Sequence, residues 1–262
     1  MSLLPHPDDM RPAPPFGRLT LVGAGPGAAD LMTFRAVDRL RAADVVLYDR
    51  LIGPDMLALI PAGTRRIDVG KECGHHHWTQ TEIDALIRAE LRRGLHVLRL
   101  KSGDPSIFGR AGEEIAAAEA EGAEVEIVPG ITAASAAAAS LGRPLTTRGV
   151  AQRLVLATAT GTDGQAADRM CASFGPGTTL ALYMGLSKLP QIRDHLLAAG
   201  AVPDTAVTVI ASISLRAEQH VTLPLADLAQ AAGRMPAGHP ALILLSWGQL
   251  VTAPDPAAMV CA

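Results

Sequence analysis

One arrangement recurs along this chain: a short apolar strand, a loop carrying glycine or aspartate, and an amphipathic helix. Residues 18–22 alternate, turn apolar, and lead straight into Gly23-Ala24-Gly25-Pro26-Gly27, which reads as a strand closed by a tight turn. Asp30 is placed to cap a helix over 31–42, with Leu31, Phe34, Val37 and Leu40 at helical spacing. Further strands are expected at 44–48, 65–69, 95–100 and 123–128. Between them fall a short helix from Pro54, a helix capped by Thr79 or Thr81 and stopped by Gly94, and a helix over 111–121. Thr132 is placed to cap an Ala-rich helix ending at Ser140. Such an order implies an α/β fold with mostly parallel sheets and helices on their faces.

A second unit starts near residue 150. Its strands are expected at 154–158, 178–184, 206–210 and 241–246, with helices at 165–173 and 189–199 and an antiparallel strand at 220–223. The reading is therefore two α/β domains, 17–130 and 151–253, joined by a segment over 131–150. Residues 1–16 and 254–262 are expected to be flexible tails. The first of these is Pro-rich and lacks the apolar stretch of a secretory signal.

With 262 residues, 48% hydrophobic and 19% charged, the chain can bury a large core, which excludes a disordered chain. The apolar run 131–141 is too short to span a bilayer. Cys73, Cys171 and Cys261 lie far apart with no C-x-x-C, which argues against a disulfide scaffold and a structural zinc site and fits a cytoplasmic protein. A net charge of −3 gives no general attraction for nucleic acid. Only Lys71, Lys101 and Lys188 of the 23 cations are lysine. The arginines offer planar forks suited to carboxylates.

The glycine loop invites a dinucleotide reading, since Asp44 and Asp49 lie near the place of a ribose-binding acid. Its spacing is G-x-G-x-G rather than G-x-G-x-x-G, and Pro26 removes a backbone donor that a pyrophosphate would need. His75-His76-His77 is read as a polar loop, because adjacent residues rarely aim three imidazoles at one ion. Cys73 has no activating partner in its motif.

Taken in order, Val22 to Gly27, Leu31-Met-Thr33, Ala43 to Asp49, Gly70-Lys71, Gln80 to Ile83, Arg99 to Arg110, Glu113-Glu114, Val128 to Ala133, Pro144-Leu-Thr146 and Tyr183-Met-Gly185 form a specific set. Across about residues 17–253 this resembles the tetrapyrrole methylases, and among them the precorrin-2-forming uroporphyrinogen-III C-methyltransferases. The resemblance implies a homodimer of two-domain subunits with S-adenosylmethionine in an interdomain cleft and no metal. It implies methylation of uroporphyrinogen III at C2 and C7, giving precorrin-2 by way of precorrin-1, with S-adenosylhomocysteine as the other product, for sirohaem or cobalamin. Nucleic acid and membrane are not expected partners.

By position, the resemblance assigns cofactor contacts to Pro26, Ser102, Gly103, Asp104, Ile107, Thr132, Ala133, Met184, Ile213 and Ala241. It assigns a proton acceptor to Asp49 and a proton donor to Lys71. Arg50, Arg110 and Arg148, beside the motif loops, are candidates for the substrate's carboxylates. From the residues alone, Asp49 could equally be a turn cap, Lys71 a solvated loop lysine, Asp104 a residue that orders its own loop, and Met184 core. Three departures stand out: Ser102 for the first glycine of Gly-Gly-Asp-Pro, Thr147 for a histidine, and Ser212-Ile213-Ser214 for Asn-Gly-Thr.

Overall fold

The computed structural model describes residues 16–70, 78–160, 173–236 and 238–250. The chain divides into two compact units, Met1–Thr132 and Ala133–Ala262.

In the first unit the elements are β1 (Arg18–Gly23), α1 (Phe34–Ala42), β2 (Val45–Tyr48), α2 (Pro54–Leu57), β3 (Arg65–Asp68), α3 (Gln80–Arg92), β4 (His96–Lys101), α4 (Ala111–Glu119) and β5 (Glu124–Val128). The sheet runs β3-β2-β4-β1-β5 and every pairing is parallel. The chain moves one way across the sheet from β1 to β3 and back the other way to β5. Right-handed crossovers therefore put α1 and α2 on one face and α3 and α4 on the other. The core follows the strand pleat. Leu19, Leu21, Val45, Leu47 and Val97 pack with Ile83, Ile87, Leu91, Ala111 and Ala118. Val22, Val46, Leu98, Leu100 and Val128 pack with Ala36, Leu40, Met56 and Ile60.

Two local details refine the sequence reading. Residues Ala29–Leu31 form a 3-10 turn, so α1 begins only at Phe34. Its cap is Thr33, whose Oγ1 accepts from Ala36 N–H at 3.1 Å, and not Asp30. Phe34 then falls in the first turn and is 93% exposed, leaving Ala36 and Leu40 as the buried stripe. On α3 the cap is Thr79, in a reciprocal box with Glu82.

The second unit comprises α5 (Ala133–Ser140), β6 (Arg153–Thr158), β7 (Thr178–Tyr183), α6 (Leu189–Ala198), β8 (Thr205–Ala211), β9 (Gln219–Pro224), a 3-10 stretch (Leu225–Arg234) and β10 (Ala241–Leu250). The expected helix over 165–173 lies almost wholly outside the described residues. The sheet order is β6-β7-β10-β8-β9. Among the described strands only β6–β7 is parallel; β10 inserts antiparallel between β7 and β8, and β9 follows antiparallel to β8. Leu182, Leu189, Ile192, Leu196, Val209, Leu225, Leu228 and Ile243 form its core.

Candidate active site

The loops beyond the carboxyl ends of the first sheet are tied together through backbone. Gly25 N–H donates to Gly103 O at 3.1 Å, and Gly103 N–H returns to Gly25 O at 2.7 Å. Gly25 and Gly103 both have left-handed φ, +81° and +70°, a conformation glycine adopts freely. Glycine is also required where these loops cross β5's end, since a Cβ on Gly130 would sit 2.2 Å from Gly103 O. Gly25 is thus fully paired within the protein, which explains a G-x-G-x-G spacing without a pyrophosphate. Ser102 is not among the residues with positive φ; Gly103 carries the left-handed conformation, so a Cβ at 102 is tolerated.

Asp104 orders this junction. Its Oδ1 accepts from Ser106 N–H at 2.8 Å and from the Ser106 hydroxyl, and its Oδ2 accepts from Gly130 N–H at 3.0 Å. Partial burial pushes its pKa up, but the bonds from Ser106 and Gly130 outweigh this and hold it below the usual carboxylate range.

Beside the junction is a cavity of about 480 Å³, lined by Asp49, Arg50, Leu51, Gly70, Trp78, Gln80, Arg99, Lys101, Ser102, Ile107, Phe108 and Arg110. Its charged floor follows from strand parity. Leu47 faces α3 and α4, so Asp49, two residues on, continues that side. Val97 does the same on β4, so Arg99 and Lys101 face that side as well. Arg99 donates to Asp49 Oδ1 through Nη2 and to Glu114 Oε1 through Nε at 2.9 Å. Lys101 Nζ reaches both Glu114 oxygens at 2.9 Å. Glu114, on α4, is completely buried, while the Asp49 side chain keeps 32% of its surface exposed. Burial opposes charge on Arg99, yet Asp49 and then Glu114 raise its pKa above the ordinary value. Burial first, and the Arg99 charge second, push Lys101 below its usual value.

At the rim, Arg110 has a left-handed backbone (φ +54°) and forks onto Glu113 at 2.6 and 2.8 Å. The neighbouring Phe108 is also left-handed (φ +55°) and exposed. Arg50 is exposed on the same cavity. Pro26 and Thr132 are half-buried in this unit. Lys71, Cys73 and His75 to His77 lie outside the described residues.

In the second unit Met184 follows β7 with left-handed φ (+56°) and is 50% exposed. Ile213 is buried between Ser212 and Ser214, both left-handed (φ +54° and +67°). Those serines adopt the backbone that Asn or Gly would favour, and hydrogen bonds hold them: Ser212 Oγ with His239 Nδ1 at 2.7 Å and Ser214 N–H to Glu218 Oε2 at 2.6 Å. Ala241 opens β10 opposite Ala211. Ala133 opens α5, and the next residue, Ala134, donates its N–H to the Tyr183 hydroxyl at 3.1 Å. Arg148 is exposed in the turn closed by Thr147 and Ala151. Left-handed non-glycine residues commonly mark functional sites. Among the described residues all five, Phe108, Arg110, Met184, Ser212 and Ser214, are candidate site residues or their immediate neighbours.

Residues 18–229 match the family described as Tetrapyrrole (Corrin/Porphyrin) Methylases. The chain belongs to the tetrapyrrole methylases. It is 44% identical over 231 residues to the uroporphyrinogen-III C-methyltransferase of Paracoccus denitrificans, covering 88% of this chain and 80% of that protein. It is 42% identical to the siroheme synthase of Edwardsiella ictaluri over 90% of this chain, but spans only 50% of that protein. Among solved structures, the uroporphyrin-III C-methyl transferase from Thermus thermophilus complexed with S-adenyl homocysteine superposes with a TM-score of 0.74 at 36% identity, over 88% of this chain and 97% of that one. A cobalt precorrin-4 methyltransferase gives a TM-score of 0.77 at 28% identity, over 94% of this chain and 98% of that one. Among the described residues no group of three His, Cys, Asp or Glu side chains could hold a metal, and no helix is long and apolar enough to cross a membrane.

The sequence reading assigned no role to Arg99, Lys101 or Glu114. The signal was available: two cations at alternate positions of a central strand whose other residues after His96 are aliphatic occupy inward positions, where a charge requires a partner.

Proposed function

We propose that this methylase transfers methyl groups from S-adenosylmethionine to uroporphyrinogen III at C2 and C7, giving precorrin-2 by way of precorrin-1. The observation that carries this reading is the cavity where Asp49, held on buried Arg99, shares a wall with Arg50 and Arg110. When bound, S-adenosylmethionine supplies a methyl on a sulfonium whose C–S electrons return to sulfur. The chain's own task is alignment and proton management.

The residues fit such a cosubstrate. Met184 presents an apolar side chain, half-exposed, from a left-handed backbone position suited to packing on a nucleoside. A Cβ built on Gly103 would meet nothing within 4 Å, so the backbone there is open to approach. Pro26, Ser102, Gly103, Asp104, Ile107 and Thr132 in the first unit, and Ala133, Met184, Ile213 and Ala241 in the second, are the residues we assign to holding it. Asp104 acts through the loop it orders, since its oxygens already accept from Ser106 and Gly130.

Arg50 and Arg110, with Arg148, are assigned to the substrate's carboxylates. Arg110 is held by an exposed pair with Glu113, and exposed pairs are weak enough for a substrate carboxylate to compete. Asp49 accepts the proton that the methylated ring must lose, and Lys71 donates or pairs with a carboxylate. We further propose a cytoplasmic homodimer whose product serves sirohaem or cobalamin. The test is an anaerobic acceptor comparison with labelled S-adenosylmethionine: label should enter uroporphyrinogen III in preference to precorrin-2. Label entering only precorrin-2 or a later precorrin would move the acceptor.

A further inference from the structure

Arg99 and Lys101 stand at the centre of a parallel sheet, where aliphatic side chains are the rule. Both are almost fully buried, and Glu114 beneath them is completely so. With Asp49 they make four charges of zero sum. Stripping water from such a set is costly, and apolar residues of similar volume often serve a fold as well or better. Stability alone therefore does not account for it. Arg99 and Lys101 also line the cavity but are nearly buried, and Asp49 is the member whose side chain keeps the most exposed surface there, 32%.

We propose that Arg99, locked by Glu114, is the positioning residue for Asp49 in the proposed methyl transfer, on which this inference rests. The Arg99 fork occupies Asp49 Oδ1 with one arm and Glu114 with the other. Asp49 Oδ2 has no hydrogen-bond partner among the described residues and is left for the cavity. Attack on the methyl leaves the ring cationic. A C–H bond next to that charge then breaks, its electron pair returns to the ring, and the proton passes to Oδ2. A carbon acid beside a cation needs a base that is ionised and aimed more than one that is strong. A guanidinium fixed at both ends supplies the aim. Lys101, on both oxygens of Glu114, fixes the far end.

Two double variants, Arg99→Met with Glu114→Gln and Lys101→Met with Glu114→Gln, test this. Each removes one positive and one negative charge, so both leave the same buried charge balance, but only the first cuts the link to Asp49. The first should lower kcat about 100-fold while KM for both substrates stays within about threefold. The second should lose at least about tenfold less. In an Asp49→Asn background the first should add less than about threefold, since groups acting as a unit are not additive. Melting curves establish folding; should the first double variant unfold, Arg99→Lys, which keeps the charge but not the fork, takes its place. Equal losses in the two doubles, or full multiplicativity with Asp49→Asn, would overturn the positioning role while leaving the reaction standing. A wild-type protein that methylates no uroporphyrinogen III would overturn the reaction and this role together.

Discussion

Asp49 is a residue whose chemistry depends on its neighbours. Its exposure and an oxygen with no hydrogen-bond partner among the described residues suit proton transfer, and its other oxygen is anchored on Arg99. Asp49→Asn, isosteric and uncharged, should lower kcat at least about 100-fold with the fold intact, measured by product formation beside circular dichroism. Glu114 behaves differently. Glu114→Leu leaves two cations buried and should cost about 3–5 kcal/mol in denaturant unfolding. Met184 holds a left-handed backbone that glycine would adopt without strain. Met184→Gly should therefore keep Tm yet weaken S-adenosylhomocysteine binding about tenfold, seen by calorimetry. At this scale the place of Asp49 just after β2 was legible, because the strand and its ending are local in sequence. The pairing of Arg99 was not, because its partners lie 15 and 50 residues away in sequence and meet only once strand and helix are packed.

Elements were legible where local chemistry decides them. The threonine cap of α3, open between Thr79 and Thr81 in the sequence and decided by the Thr79–Glu82 box, the proline start of α2 and the glycine stop after α3 all follow from a few neighbouring residues. The start of α1 was misplaced because Asp30 and Thr33 are both good caps, and the 3-10 turn at Ala29–Leu31 decides between them. The correction is testable: Thr33→Ala should cost about 1 kcal/mol and Asp30→Ala close to nothing. β4 carries a second device. His96 lies between Thr20 Oγ1 at 2.9 Å and Ala42 O at 3.0 Å, and burial, then Arg18, push its pKa down. The unfolded chain therefore binds a proton that the folded one resists once pH falls below about 6.5. Stability should decline from neutral toward acid pH across that window, and His96→Asn should flatten the decline in chemical denaturation at pH 7.5 and 5.5. An unchanged slope would remove His96 from the account.

Across the molecule, sequence order predicted the parallel first sheet because each strand is followed by its own crossover helix. The mixed second sheet was less legible: β10, last in the chain, pairs between β7 and β8, and no local signal announces so distant a pairing. The proposed function comes down to one claim, that this chain methylates uroporphyrinogen III. Anaerobic incubation of the protein with S-adenosylmethionine and uroporphyrinogen III, read by mass spectrometry of the tetrapyrrole, tests it most directly. The account predicts a product heavier by two methyl groups, with S-adenosylhomocysteine formed in step. An acceptor of unchanged mass, from protein that still binds S-adenosylhomocysteine, would contradict it.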